Sequence, residues 1–363
     1  MAPSAKSLST VWDALMLQGG GALGAYEWGV WEALDSQGMD FSLVTGVSIG
    51  AVNAAIVSSR GKEASTYLGR FWDGVSDPLA DFPFLLPPLQ QQYAVLKSLM
   101  FGNPAMFLPA WWSSPGRMIH SPRGLGLYDP APLRKLIEKV VDFRALIDGP
   151  RKLVVSAVDV QNGKLTHFDS RREPISVDHL MASGALPPAF PPVRIGERWY
   201  WDGGLVTNSP IRHVIGSLAP ADRKRILMVE LFPREHPAPR NLDDVLNILK
   251  DLSYMNRVDL AHERHRQAEE IRSFLAKAVS GNADRLRRLP EFAALAEQYA
   301  HAVQLFTISH SAHAEDQGMR DADFSPRSLR RRREEGRHAA LEAISRWEKE
   351  PGWAAFCCVH HAG

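Results

Sequence analysis

Within its first 57 residues the chain twice runs from a short apolar stretch through a glycine-rich turn into a segment with helical spacing. Ala14 to Leu17 leads into Gly19-Gly20-Gly21, and Ala25 to Leu34 then carries apolar residues at helical intervals. Phe41 to Val44 reads as a second strand, Gly46-Val47-Ser48-Ile49-Gly50 as a sharp turn, and Ala51 to Val57 as a helix of small residues able to pack closely on a sheet. Two such units so near together predict an α/β fold with a parallel sheet and right-handed crossover helices.

The pattern loses regularity from about 71 to 128, where prolines stand among aromatics, as in Phe82-Pro83-Phe84 and Phe107-Leu108-Pro109-Ala110-Trp111-Trp112. This stretch reads equally as a lid or lipid-facing cap and as a cap buried on the core. Strand signals return at Lys152 to Val158 and Leu165 to Asp169, followed by a short helix over Val177 to Ala185. Leu186-Pro187-Pro188-Ala189-Phe190-Pro191-Pro192-Val193 reads as a rigid extended segment, and the strand Arg225 to Leu231 as the end of the core sheet. Beyond about 236 the composition shifts to Arg, Glu, Ala, His and Leu, so 1–235 is expected to form the main domain and 236–363 a helical C-terminal extension. Ser325-Pro326 is placed to open a helix through Arg330-Arg331-Arg332-Arg333. Those arginines suit either an anionic lipid or, as the favoured reading, a solvated helical face.

Composition restricts partners more than it names them. With 45% hydrophobic and 23% charged residues the chain has ordinary globular usage, and a formal net charge of +1 gives no overall field to attract nucleic acid. Cys357 and Cys358 are adjacent, which suits a reducing compartment better than a disulfide framework and argues against a cysteine metal site. With no signal-like h-region and no apolar window of about 20 residues, the expectation is a cytoplasmic protein that does not span a membrane.

Three local patterns carry chemistry, each ambiguous alone. Gly19-Gly20-Gly21-Ala22-Leu23-Gly24 satisfies G-x-G-x-x-G between strand and helix, with Asp40 near the distance of a ribose-binding acid, so a dinucleotide site is one reading. The same bare amides at a helix start suit an oxyanion. Gly46-Val47-Ser48-Ile49-Gly50 is G-x-S-x-G between strand and helix, the setting of a strained elbow that exposes a serine hydroxyl. An α/β-hydrolase would need a histidine after its acid, yet no motif singles out His236, His310 or any other of the thirteen histidines. Asp202-Gly203-Gly204 puts a carboxylate at a turn where two residues lack Cβ; in isolation it is a plain Asp-Gly turn.

Taken in this order, the glycine loop, the Gly46-to-Gly50 elbow and Asp202-Gly203-Gly204 resemble the patatin-like phospholipases. Met181-Ala-Ser-Gly-Ala-Leu-Pro-Pro-Ala-Phe-Pro-Pro-Val, and Asp202-Gly-Gly-Leu-Val-Thr-Asn-Ser-Pro after it, also look like that family, and the likeness runs over about residues 12 to 215. It implies a three-layer α/β/α fold with a mainly parallel central sheet and a lipid acyl-hydrolase that uses no metal or organic cofactor. By motif, Ser48 is the nucleophile and Asp202 its base. Gly19, Gly20, Gly21, Gly24 and Ile49 would form the oxyanion hole, with Gly46, Gly50, Gly203 and Gly204 shaping the two turns. Many members carry an arginine in the glycine loop, where this chain has Leu23 after Ala22; that departure makes a neutral ester or polyester substrate a competing expectation. The implied partner is a lipid ester at a membrane or lipid surface. A dinucleotide-binding protein and a catalytically silent lipid-binding scaffold remain the alternatives.

Overall fold

The computed structural model describes residues 11–81, 87–113, 126–218, 223–233, 236, 238–242, 244–254, 271, 302–311 and 319–349. The Phe82–Phe84 part of the aromatic stretch and the Cys357–Cys358 pair lie outside them.

The strands are β1 (Val11–Leu17), β2 (Asp40–Val47), the two-residue β3 (Leu108–Pro109) and β4 (Tyr128–Asp129), β5 (Lys152–Asp159), β6 (Leu165–Asp169), β7 (Val193–Ile195), β8 (Arg198–Asp202), β9 (Arg223–Glu230) and β10 (Ala302–Ser309). The helices that position the site are α1 (Ala25–Ser36), α2 (Ile49–Arg60), α3 (Ala64–Val75), α4 (Pro87–Phe101), α5 (Val177–Ser183), α6 (Ile211–Ser217) and α7 (Pro326–Lys349). The central sheet has the order β10-β9-β1-β2-β5-β8-β7. β10 through β5 run parallel, while β6 and β8 join β5 antiparallel. Strands covered on both faces must be apolar along their length, and β5 is: Leu153, Val155 and Ala157 face one helical layer, and Val154 faces the other with Met16 and Ile226. The result is the expected α/β/α sandwich with a mainly parallel sheet.

Four expectations are corrected. β9 does not end the sheet: β10, from the segment beyond 236, pairs with β9 from Ala302 to Ser309. Its local sequence, Ala302-Val-Gln-Leu-Phe-Thr-Ile-Ser, alternates as a strand but sits inside a helix-biased composition that obscures it. The 71–128 stretch holds a fifteen-residue helix, α4, because Pro87 and Pro88 occupy its first turn, where proline is tolerated. Leu186 to Val193 folds into a turn closed by a bond from the Phe190 amide to the Leu186 carbonyl. The arginine run is a solvated face only in part. Arg332 is fully buried, donating to the Asp323 and Arg320 carbonyls, and Arg333 forks onto Glu32 with both bonds at 2.8 Å.

α7 is tied to the main domain through α1. A Cβ on Gly29 would lie 1.8 Å from the Arg333 carbonyl oxygen, and one on Gly336 would lie 2.0 Å from that of Tyr26. Two helices cross here at backbone contact, which only glycine on each permits. The Arg333 guanidinium covers the Trp28 ring at 4.2 Å beside this crossing.

Candidate active site

The parallel strands β1 and β2 end side by side, Leu17 opposite Gly46, so the turns that follow them meet at one edge of the sheet. Ser48 occupies the second turn with φ 54 and ψ −126, the one non-glycine residue with positive φ among those described. A β-bearing residue pays steric strain there, and the surroundings hold it. The Ser48 amide donates to the Ser183 hydroxyl (2.9 Å), which itself donates to the Ser156 carbonyl (2.7 Å), and the Ala51 amide donates to the Ser48 carbonyl (3.0 Å). Space is equally constrained. A Cβ on Gly46 would lie 2.2 Å from the Gly50 carbonyl oxygen, and one on Gly50 would lie 2.5 Å from the Leu17 and Gln18 carbonyl oxygens. The G-x-S-x-G glycines are therefore required by close backbone approach.

Gly19 to Gly21 wrap beside the elbow, where a Cβ on Gly19 would stand 2.7 Å from that of Ser48. Asn208 clasps this loop: the Gly19 amide donates to its Oδ1 (2.7 Å) and its Nδ2 donates to the Gly19 carbonyl (2.9 Å). Gln18 adds a second clasp, donating to the Ser209 hydroxyl (2.7 Å) and accepting from the Leu231 amide (3.0 Å). The Gly19 amide is thus engaged, which removes Gly19 from the expected oxyanion donors. Gly24 packs against Ile49 and Trp72, and its carbonyl accepts from Asn53. Gly20 and Gly21 line the cleft that Ser48 and Asp202 share.

Asp202 closes β8, paired with Ala157 of β5, and is buried. The Gly204 amide donates to its Oδ1 (2.7 Å), while Gly203 lets the turn pass against the Ser156 carbonyl. Burial drives the Asp202 pKa up from 3.8 to about 6, with hydrogen bonding from the Ser48 hydroxyl and the Gly204 amide drawing it partly back. Ser48, Asp202 and the three loop glycines line one cleft. Leu186, Asn208 and Phe232 complete its main-domain wall, and Lys250, Tyr254 and Asp321 from the tail cover it. Its free volume is ≈ 30 Å³.

Below the cleft, Asn53 gathers three helices: its Nδ2 donates to the Glu27 carboxyl (2.8 Å) and its Oδ1 accepts from the Trp72 indole (3.1 Å). Complete burial raises the Glu27 pKa well above the ordinary carboxylate range. Asp40, the ribose acid of the dinucleotide reading, starts β2 at the edge of the sheet away from the glycine loop and pairs with Arg151 at 2.7 Å. That placement contradicts the dinucleotide reading. His310 is buried edge-on to Tyr26, and His236 faces Asp251 at 3.4 Å; neither lines the cleft. Asn208, Ser183, Gln18 and Asn53 were not singled out from the sequence, although Ser183 and Asn208 stand inside the quoted motif segments. Among the described residues no group of three His, Cys, Asp or Glu is placed to hold a metal ion, and no helix is long and apolar enough to cross a membrane.

An α/β/α sheet with a serine elbow facing a buried aspartate and a glycine loop defines a class, the lipid ester hydrolases. The family model described as patatin-like phospholipase matches residues 15–215, more than half of the chain, and a second described as patatin phospholipase matches residues 252–352. The chain belongs to the patatin-like phospholipase family. No curated protein matches it. Among solved structures it is similar to VipD from Legionella pneumophila, at 12% identity and a TM-score of 0.35 over 92% of this chain and 67% of that one. It is similar also to the type III effector protein ExoU, at 15% identity and a TM-score of 0.35 over 93% of this chain and 53% of that one. The ExoU–SpcU complex of Pseudomonas aeruginosa matches at 17% identity, a TM-score of 0.30, and 79% and 66% coverage. The chain therefore spans about half the length of the ExoU chain.

Proposed function

We propose that the protein cleaves carboxylic esters of lipids with a Ser48–Asp202 dyad, through an acyl-enzyme. One observation carries the reading: a serine held at positive φ and a buried aspartate with a pKa near 6 share a cleft with the amides of a glycine loop. The Ser48 Oγ attacks the acyl carbonyl carbon while Asp202 accepts its proton, a step worth about 10²–10⁴-fold. The amides of Gly20, Gly21 and Ile49, the last at the start of α2, hold the oxyanion. Asp202 returns the proton to the departing alcohol, then takes one from the water that cleaves the acyl-enzyme. An ordinary aspartate is a feeble base toward serine; burial makes this one stronger while leaving it ionised at neutral pH.

Phospholipid is the first substrate class, met at a lipid surface where α4 exposes Leu96, Met100 and Phe101 next to Trp112. The adjacent Cys357 and Cys358 support a cytoplasmic setting for that encounter. A neutral ester or storage polyester is the second reading, favoured because Ala22 and Leu23 are buried and the glycine loop offers no cation to a phosphate.

Incubating wild type and Ser48→Ala with a mixed bacterial lipid extract, and measuring free fatty acids and lysophospholipids by mass spectrometry, separates these. Serine-dependent release of both supports phospholipase action. Release from neutral esters or polyesters alone selects the second reading, and equal release by Ser48→Ala rejects the dyad.

A further inference from the structure

Amphipathic helices normally bury their apolar stripe, and one helix beside this cleft does the reverse. Over residues 244–254, the side turned to the protein carries Asn247 and Asp251, both buried. The opposite side, with the preceding turn, presents Leu242, Val245, Leu246, Leu249 and Leu252 to solvent, Leu242 at 73% and Leu249 at 61% exposure. These positions fall at helical spacing on one stripe. α4 does so in part: Lys97 is buried against Asp77 and Gln90 pairs inward with Asp81, beside the buried Ala94 and Val95, while Leu89, Leu96 and Met100 point out.

Both helices meet the same turn, Arg320–Ala322, the 244–254 helix through its inward polar contacts. Lys250 pairs with Asp321, Asp251 pairs with Arg320, and α4 packs against the turn from the other side. That turn presses on the oxyanion loop, for a Cβ on Gly21 would lie 2.4 Å from the Asp321 carbonyl oxygen. The Tyr254 ring stacks on Phe232 and lies 3.2 Å from where a Cβ on Gly204 would stand, beside Asp202. With these groups in place the cleft is narrow, with ≈ 30 Å³ of free volume.

We propose that residues 244–254 and the Arg320–Ala322 turn form a latch that narrows the cleft in solution, and that a lipid surface widens it by taking up the outward apolar stripe. The inference rests on the lipid-ester reading above, which supplies the occupant. A second copy of the chain seated on the stripe would cover the leucines yet bring no substrate to the cleft. A lipid surface provides the apolar partner and the substrate at one place. α4, whose stripe borders the same turn, is the fixed half of the docking surface, and the 244–254 helix is the half that moves. The latch is held by the Lys250–Asp321 pair, the buried Asp251–Arg320 pair and the Tyr254–Phe232 stack, whereas the stripe can be satisfied only by an apolar phase.

The test uses the full-length protein with vesicles of diether phosphatidylglycerol and diether phosphatidylcholine, which offer a surface without a cleavable ester. Wild type is expected to float with the vesicles, and Leu246→Gln/Leu249→Gln to partition at least about tenfold more weakly. Both substitutions are at exposed positions, and matching circular dichroism and melting curves would establish that the fold is kept. Hydrolysis of a soluble short-chain ester should rise about tenfold when vesicles are added to wild type, rise little for the double variant, and be equal for the two without vesicles. The proposal is overturned if wild type does not float, if its soluble-ester rate ignores the vesicles, if the double variant responds as wild type does, or if wild type elutes as a dimer whose stripe is protected from hydrogen exchange. A wild type that floats normally and cleaves no ester at all overturns the hydrolase reading while leaving the docking stripe intact, so the two failures are distinguishable.

Discussion

Asp202 is the residue at which folding and chemistry pull in opposite directions. Its folded pKa near 6 lies above the ordinary 3.8, so the native state binds this proton more tightly than the unfolded chain does. Ionising it therefore costs native stability as pH rises from about 4 through 6, and the cost is complete above that window. Asp202→Asn keeps the shape and removes the charge. It should be inactive, yet more stable than wild type at pH 8 by on the order of 2–3 kcal/mol, the gap closing near pH 4; paired thermal or urea melts at the two pH values check this. The base works only when ionised, so kcat/KM for a soluble ester should fall about tenfold per unit below pH 6. A profile flat down to about 4 would count against the assignment. The turns that carry Ser48 and Asp202 were legible in the sequence because glycines mark their backbone contortions. A motif does not reveal that the Gly19 amide is already taken by Asn208 or that Gly24 faces Trp72.

At the scale of elements, the site is a meeting of turns held by side chains from distant strands and helices. Asn208, which precedes α6, fixes the glycine loop through two bonds to Gly19, and Ser183, at the end of α5, fixes the elbow. Asn208→Ala leaves a buried amide and carbonyl unpaired, at a cost of about 1–3 kcal/mol. The loop it frees carries the proposed oxyanion donors, so kcat should fall about 10–100-fold with little change in KM; steady-state kinetics on a soluble ester, beside a melt, separates the two effects. A fall in stability with kcat preserved would make Asn208 structural only. The first two strand–turn–helix units could be read directly, since each carries its own apolar period and its own glycine turn. Asn208 could not be, because its partners lie 189 residues away and nothing in the local sequence names them.

The whole molecule is less divisible than its composition. The expected boundary near 236 separates two residue vocabularies, but β10 extends the main sheet and α7 crosses α1 at backbone contact through Gly29 and Gly336. Gly336→Ala places a methyl against the Tyr26 carbonyl, where neither backbone can yield alone, and should cost about 2–3 kcal/mol or more. A single cooperative transition shifted to lower temperature is the expected melt. A separate early transition, with the main domain melting unchanged, would show the tail to be an independent unit. Pairing of β10 with β9 was not legible because a parallel strand added from far along the chain depends on an edge that only the folded sheet provides.

The most direct test of the central claim, that Asp202 activates Ser48 as a nucleophile, is to follow labelling by a fluorophosphonate with peptide mass mapping at pH 7. The account predicts one adduct, on Ser48, formed about 100-fold or more slowly in Asp202→Asn and absent from Ser48→Ala. An adduct on another serine, or labelling of Ser48 at the same rate without the Asp202 carboxylate, would contradict it.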